Sequence, residues 1–172
     1  MSTSSAEENN LRSVILVVSD KVYLGEKKDV SGSIAEKKLV EAGFTVTGRS
    51  VLPNDYKMIL HGVQEATKKG DLVVVIGGTG PSPRDISVDV VEKLAWRHLP
   101  GFGEVFRKLT YEKEGVAAIF TRAEMYIVNE SVVVVLPGAP SAVELGVELA
   151  AKAAPHVIAE SRRLEGEHAP KQ

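Results

Sequence analysis

The apolar positions of this chain fall into short unbroken runs more often than into strict alternation. SVILVVSD (Ser13 to Asp20) and LVVVI (Leu72 to Ile76) are continuous and rich in β-branched residues, the pattern of strands buried on both faces. FTVTGRSVLP predicts another strand, closed by Pro53, and AEMYIVNESVVVVLPG predicts a hairpin with Asn129 and Glu130 at its turn. Helical spacing lies between these runs. SIAEKKLVEAG sets Ile34, Leu39 and Val40 on one face before Gly43 stops it. NDYKMILHGVQEATKKG opens on Asn54, a good cap, and closes on Lys68, Lys69 and Gly70. SVDVVEKLAWRHL predicts a helix halted by Pro100 and Gly101, and a shorter one follows from Gly103 to Tyr111. SAVELGVELAAKAA and HVIAESRRL predict the last two helices. Strand and helix in alternation imply a layered α/β fold with a mainly parallel sheet.

No repeat or linker divides the chain. Residues 11–164 therefore read as one domain, with a disordered polar segment at 1–10 and a flexible tail, EGEHAPKQ, at 165–172. A length of 172 residues suffices for a real core, and 44% hydrophobic with 26% charged is ordinary globular usage. With 21 basic and 23 acidic residues the net charge is −2, which excludes a global field that recruits nucleic acid or an anionic membrane. The absence of cysteine removes disulfides, thiolate nucleophiles and cysteine-bound zinc together. No apolar signal segment or membrane-length run is visible, and the expected location is the cytoplasm.

Two strand-to-helix junctions resemble one another, VVVIGGTGPSP and VVVVLPGAPSA. In open parallel sheets the carboxyl ends of strands are where ligands bind. Gly77, Gly78, Thr79 and Gly80 can form a nest of backbone N–H groups for an anion, or simply a tight turn, and spacing alone leaves both readings level. The loop is not a Walker A motif, because Pro-Ser-Pro-Arg follows Gly80. It is not a dinucleotide fingerprint either, because Pro83 stands where the third glycine belongs, and Gly101-Phe102-Gly103 follows a predicted helix instead of a strand. Asp85 can hold a cation beside bound phosphate or cap the next helix, and chemistry alone favours the cap. Ser141 with Glu144 forms a Ser-x-x-Glu capping box, so the second junction reads as structural first and anion-binding second. Asp20, Asp29 and Asp55 fall in loops that such a fold gathers on one rim. His61, His98, His156 and His168 lack paired metal-ligand spacing, and His61 and His98 are expected on helix surfaces.

GGTGPSPRD resembles the GGTG…RD segment of the MoaB/MogA family of molybdenum-cofactor biosynthesis proteins, and LPGAPSAVE resembles that family's second loop. PGFGEVFR and SDKVYLGEKKDVSG are similar to two further family segments, and the four follow the family order across residues 12–158. The resemblance implies a three-layer α/β fold, a mainly parallel mixed sheet flanked by helices, assembled as homo-trimers or hexamers. It also implies adenylylation of molybdopterin by MgATP, with a MoeA-type metal insertase acting next. The substrate's own phosphate is the nucleophile in that reaction, so no serine, cysteine or histidine need be activated.

Carried across position by position, the resemblance makes Asp85 the acid that places magnesium and ATP. Gly77, Gly78, Thr79, Gly80 and Ser82 become the substrate loop, and Gly138, Ala139 and Ser141 the loop around pterin or nucleotide. Asp20, Asp29 and Ser31 line the same rim. One departure stands out. Where active members carry an acid after Pro53 this chain has Asn54, with Asp55 the neighbouring candidate for catalysis and metal binding. Asp89 likewise replaces a usual glutamate. Retention of fold with loss of chemistry, leaving a molybdopterin-binding or scaffold protein, is the alternative that Asn54 motivates.

Overall fold

A computed structural model describes residues 10–164; the expectations for residues 1–9 and 165–172, with His168, lie outside the described residues. The strands are β1 (Arg12–Val18), β2 (Thr45–Leu52), β3 (Leu72–Ile76), β4 (Arg97–Leu99), β5 (Glu124–Val128) and β6 (Ser131–Leu136). The helices are α1 (Asp20–Tyr23), α2 (Val30–Glu41), α3 (Tyr56–Lys69), α4 (Ser87–Leu94), α5 (Pro100–Glu114) and α6 (Pro140–Ser161), with a 3₁₀ segment at Gly115–Phe120. One six-stranded sheet has the order β2-β1-β3-β6-β5-β4. β2, β1, β3 and β6 are mutually parallel, and β5 runs antiparallel to both of its neighbours.

The unbroken apolar runs become the sheet centre because both faces are covered. Alternate residues divide between two cores. Ile15, Val17, Val74, Ile76, Val134 and Leu136 pack with Leu39, Phe106, Val143, Val147 and Ile158 of α2, α5 and α6. Val14, Leu16, Val18, Val73, Val75 and Val133 pack with Ile59, Val63, Val88 and Val91 of α3 and α4. Helices on two faces of a mainly parallel sheet make three layers, as the sequence implies.

Several elements depart from the sequence reading. The buried stripe of α2 is Gly32, Ala35 and Leu39, whereas Val40 is exposed. Asp55, not Asn54, caps α3, accepting from Met58 N–H at 2.9 Å. The helix from Ser87 ends at Leu94, because Ala95 turns extended and Trp96 N–H bonds Ile127 C=O at 3.1 Å, starting the edge strand β4. His98 therefore sits on a strand, stacked on Tyr126 with ring centroids 4.8 Å apart. Pro100 starts α5 at its first turn, where a missing N–H is harmless. Gly101-Phe102-Gly103 thus follows a strand after all, but an antiparallel edge strand that builds no βαβ crossover. The last two predicted helices are one. α6 runs through Pro155 because Val147, Ala150, Ala154 and Ile158 stay buried in register across it. Among the described residues no helix is long and apolar enough to cross a membrane.

Asp71, at the head of β3, ties the amino-terminal end of the sheet. Its carboxylate accepts from Arg12 N–H at 2.8 Å and from Arg162 Nη2 at 2.7 Å. Burial pushes Asp71 up, but the Arg12 N–H and the Arg162 and Arg12 guanidinium groups together hold it below its ordinary value of 3.8. A depressed carboxyl stabilises the fold above its unfolded value, and that contribution is lost as pH falls through the folded value. Asp71→Asn is expected to cost about 2 kcal/mol at neutral pH, read by urea unfolding. The gap from the parent chain should close as the pH drops below about 3.8; a gap of constant size would remove the charged form of Asp71 from the account.

Candidate active site at the carboxyl edge of the sheet

Four parallel strands bring four loops to one edge. β1 lies between β2 and β3 in the sheet and connects through α2 to β2, while the chain after β3 moves to the opposite side, towards β6. The connections diverge between β1 and β3, and such a switch point opens a crevice outside the strand ends. A cleft of about 340 Å³ lies there, floored by Val17, Val18 and Ile76 and rimmed by Lys27, Lys28 and Asp29 from one side and Gly77, Gly138 and Ala139 from the other. A second cleft, of about 240 Å³, lies across Ala139, between Thr79 and Gly80 on one wall and Phe106, Thr110 and Phe120 on the other.

Gly77 and Gly78 are required by the backbone. Both have positive φ, 103° and 78°. A Cβ on Gly77 would stand 2.4 Å from Val18 C=O, and one on Gly78 2.2 Å from Ser87 Oγ. Thr79 is buried at 4% exposure, so its hydroxyl faces protein at the loop base, 3.4 Å from Thr121 Oγ1. Beyond Gly80 the loop folds on Asp85, whose Oδ2 accepts from Ser82 N–H at 3.1 Å. Asp85 does not cap α4. That helix starts after Ile86 without any side-chain cap, which leaves Asp85 turned to its own loop.

Asp20 joins the loops after β1, β2 and β3. Asn54 N–H donates to it at 2.9 Å and Asn54 Nδ2 at 3.4 Å, and Arg84 pairs with its Oδ2. The Asn54 N–H is the largest influence on this carboxyl and, with the Arg84 guanidinium, outweighs desolvation to hold it below the usual range. The 2.9 Å bond comes from the backbone N–H of residue 54, which an acid at this position would also offer, and only the longer Nδ2 contact is particular to the amide.

Asp29 caps α2, accepting from Gly32 N–H at 2.8 Å, and pairs with Arg49 at 2.8 Å. Ser31 Oγ donates to Gly138 C=O at 2.6 Å, which fastens the first loop to the last. Ala139, not Ser141, is the cap residue of α6, and it makes no side-chain bond there. The Ser141 hydroxyl instead lies 3.4 Å from Glu114 Oε1, so the anticipated capping box does not form. Asp55 is exposed and engaged by the first turn of α3. Residues that sequence reasoning passed over include Val22, Lys27 and Lys28 in the first cleft and Arg122 beside the glycine loop. Only long-range packing brings Arg122 there, and no local signal distinguishes it from a surface arginine.

Residues 14–156 match the family model described as a probable molybdopterin binding domain. The match covers most of the chain and both clefts.

The chain belongs to this family.

Its similarity extends to named members. It is 38% identical over 153 residues to a molybdopterin adenylyltransferase of Pyrococcus furiosus, covering 86% of this chain and 89% of that protein. It is 31% identical to molybdenum cofactor biosynthesis protein B of Bacillus subtilis, across 89% of this chain and 91% of that one. The crystal structure of the tungsten cofactor synthesizing protein MoaB from Pyrococcus furiosus superposes with a TM-score of 0.84 at 34% identity, covering 90% and 98% of the two chains. The three-layer fold with a mixed sheet is thus the family fold.

Within it, Gly77→Ala is expected to lower stability by roughly 2 kcal/mol or more, since a positive φ alone costs about 1–3 kcal/mol for a side-chain-bearing residue. A thermal melt checks this, and an unchanged midpoint would mean that the loop can rebuild away from Val18.

Proposed function

We propose that this protein is a molybdopterin adenylyltransferase: the terminal phosphate of molybdopterin attacks the α-phosphate of ATP, a new P–O bond forms there, and pyrophosphate leaves. The observation that carries the reading is the joint presence, on one rim, of the RD loop and the Pro137–Ser141 loop, in a chain 38% identical to an enzyme of that name. The chemistry needs positioning and charge stabilisation more than an activated nucleophile. The rim offers these. Gly138 has open space where a Cβ would stand and leaves the backbone accessible in the first cleft, the amino end of α6 adjoins the second loop, and Lys27 and Lys28 bring positive charge to the first cleft. In this reading Gly77, Gly78, Thr79, Gly80 and Ser82 line one substrate, while Asp20, Asp29, Ser31, Gly138, Ala139 and Ser141 line the remainder of the rim.

Magnesium fits the donor chemistry in a limited way. Among the described residues no group of three or more His, Asp or Glu could hold a metal alone. Magnesium prefers one or two carboxylates completed by substrate phosphates and water. Asp85 and Asp55 each engage one carboxylate oxygen in a protein hydrogen bond and keep the other for such a role. Bound there with ATP, the ion would neutralise charge on the phosphates. Asp20 is committed to Asn54 and Arg84 and serves as the anchor of the rim. Assembly as a homo-trimer or hexamer and hand-over of product to a MoeA-type insertase belong to the same reading.

A second reading, a molybdopterin-binding protein without catalysis, rests on Asn54 in place of an acid. The first reading is favoured because Asp85 and both loops remain together on one rim, and because the main bond to Asp20 comes from the backbone N–H of residue 54 and does not depend on its side chain. Incubation with molybdopterin, magnesium and ATP, followed by mass spectrometry, is expected to show adenylylated molybdopterin. Asp85→Ala should reduce its rate by about 10²-fold or more, the scale of a lost charge-positioning group. Molybdopterin bound but never adenylylated would overturn the proposal, and product gained on Asn54→Asp would then identify the cause.

A further inference from the structure

Arg122, which precedes β5, holds the RD loop from outside at several points. Its Nε donates to Gly80 C=O at 3.2 Å and its Nη2 to Asp85 C=O at 2.6 Å. The same guanidinium forms a two-point pair with Asp89 on α4, at 2.9 and 3.1 Å. Its backbone N–H donates to Thr79 C=O at 2.9 Å. One residue therefore reaches three carbonyls of the loop, at Thr79, Gly80 and Asp85. Those contacts bracket the turn that points the Asp85 carboxylate back onto Ser82.

We infer that Arg122 is the positioning residue of the site, fixing the Thr79–Asp85 loop so that Asp85 and the loop N–H groups meet the nucleotide in one geometry, with Asp89 orienting the guanidinium. The inference rests on the adenylyltransferase reading for its consequence in turnover and on the hydrogen bonds alone for the clamp. Arg122 is not a catalytic residue, since its donors are spent on protein carbonyls and on Asp89. A guanidinium is required because its planar fork serves two carbonyls and a carboxylate at once, whereas a lysine ammonium offers a single point of charge. Asp89 is short enough to meet that fork from the first turn of α4 and keeps the arginine from turning to the solvent.

The clamp and its consequence are separable by experiment. Hydrogen exchange of the amides in residues 78–86, read by mass spectrometry on the full-length protein, reports the loop without any turnover. Arg122→Ala and Arg122→Lys should both accelerate exchange in this segment while β1, β3 and β6 keep their protection. Asp89→Asn, a milder change that leaves the guanidinium in place, should do so to a smaller degree and serves if Arg122→Ala fails to fold. In the adenylylation assay, Arg122→Ala should lower kcat on the order of 10²-fold, the scale of a misplaced catalytic group, with little change in KM for ATP. Added guanidinium ion should restore part of the rate, and Arg122→Lys should not. Unaltered loop exchange in a folded variant overturns the clamp. Faster exchange with full kcat overturns its part in catalysis. If the parent protein makes no product, the adenylyltransferase reading fails, the role in turnover falls with it, and the exchange result decides the clamp alone.

Discussion

The constraint on which the structure depends is the burial of β1, β3 and β6 on both faces. A strand with valine or isoleucine at nearly every position has no face to give to water, so helices must cover it twice. Helical crossovers join the parallel strands β1, β2 and β3, while β6 is entered from β5 by a tight hairpin. Parallel strands send all their following loops to one edge. The clefts there follow from the way the hydrophobic core is satisfied.

At that edge the chain faces an electrostatic problem. Asp20 and Asp29 from the β1–α2 connection, Asp55 from the loop after β2 and Asp85 from the loop after β3 would repel one another if left bare. Each is met by a donor from the protein: Asn54 and Arg84 for Asp20, the Ser82 N–H for Asp85, Gly32 and Arg49 for Asp29, Met58 for Asp55. A rim so arranged tolerates its acids in the absence of any cation and is set before a phosphate arrives. Preorganisation of this kind suits a reaction in which the substrates supply their own nucleophile and leaving group.

Asn54 shows how a departure from pattern is read differently in three dimensions. By sequence it is a lost acid and a helix cap. In the fold Asp55 takes the cap, and residue 54 serves Asp20 through its backbone N–H at 2.9 Å, with Nδ2 at 3.4 Å beside it. The same holds for Ser141, whose spacing to Glu144 fits a capping box while its hydroxyl lies beside Glu114. Local spacing allowed both caps, but the folded chain sets residue 54 against Asp20 and Ser141 against Glu114.

The sequence by itself determined the sheet centre, the hairpin at Asn129 and the two glycine-bearing junctions, since continuous β-branched runs, and small residues between a buried strand and a helix, have few alternative uses. It also carried the family resemblance, through segments that stay contiguous in the chain. Tertiary structure alone decided the edge strand β4, the passage of α6 through Pro155 and the partners of Asp20. Each depends on contacts between residues far apart in sequence: Trp96 with Ile127, α6 with β6, Asp20 with Asn54 and Arg84. Arg122 is the clearest case. Nothing near it in the chain marks it out, and only the packing of β5 beside the loop after β3 brings its guanidinium to the carbonyls it holds.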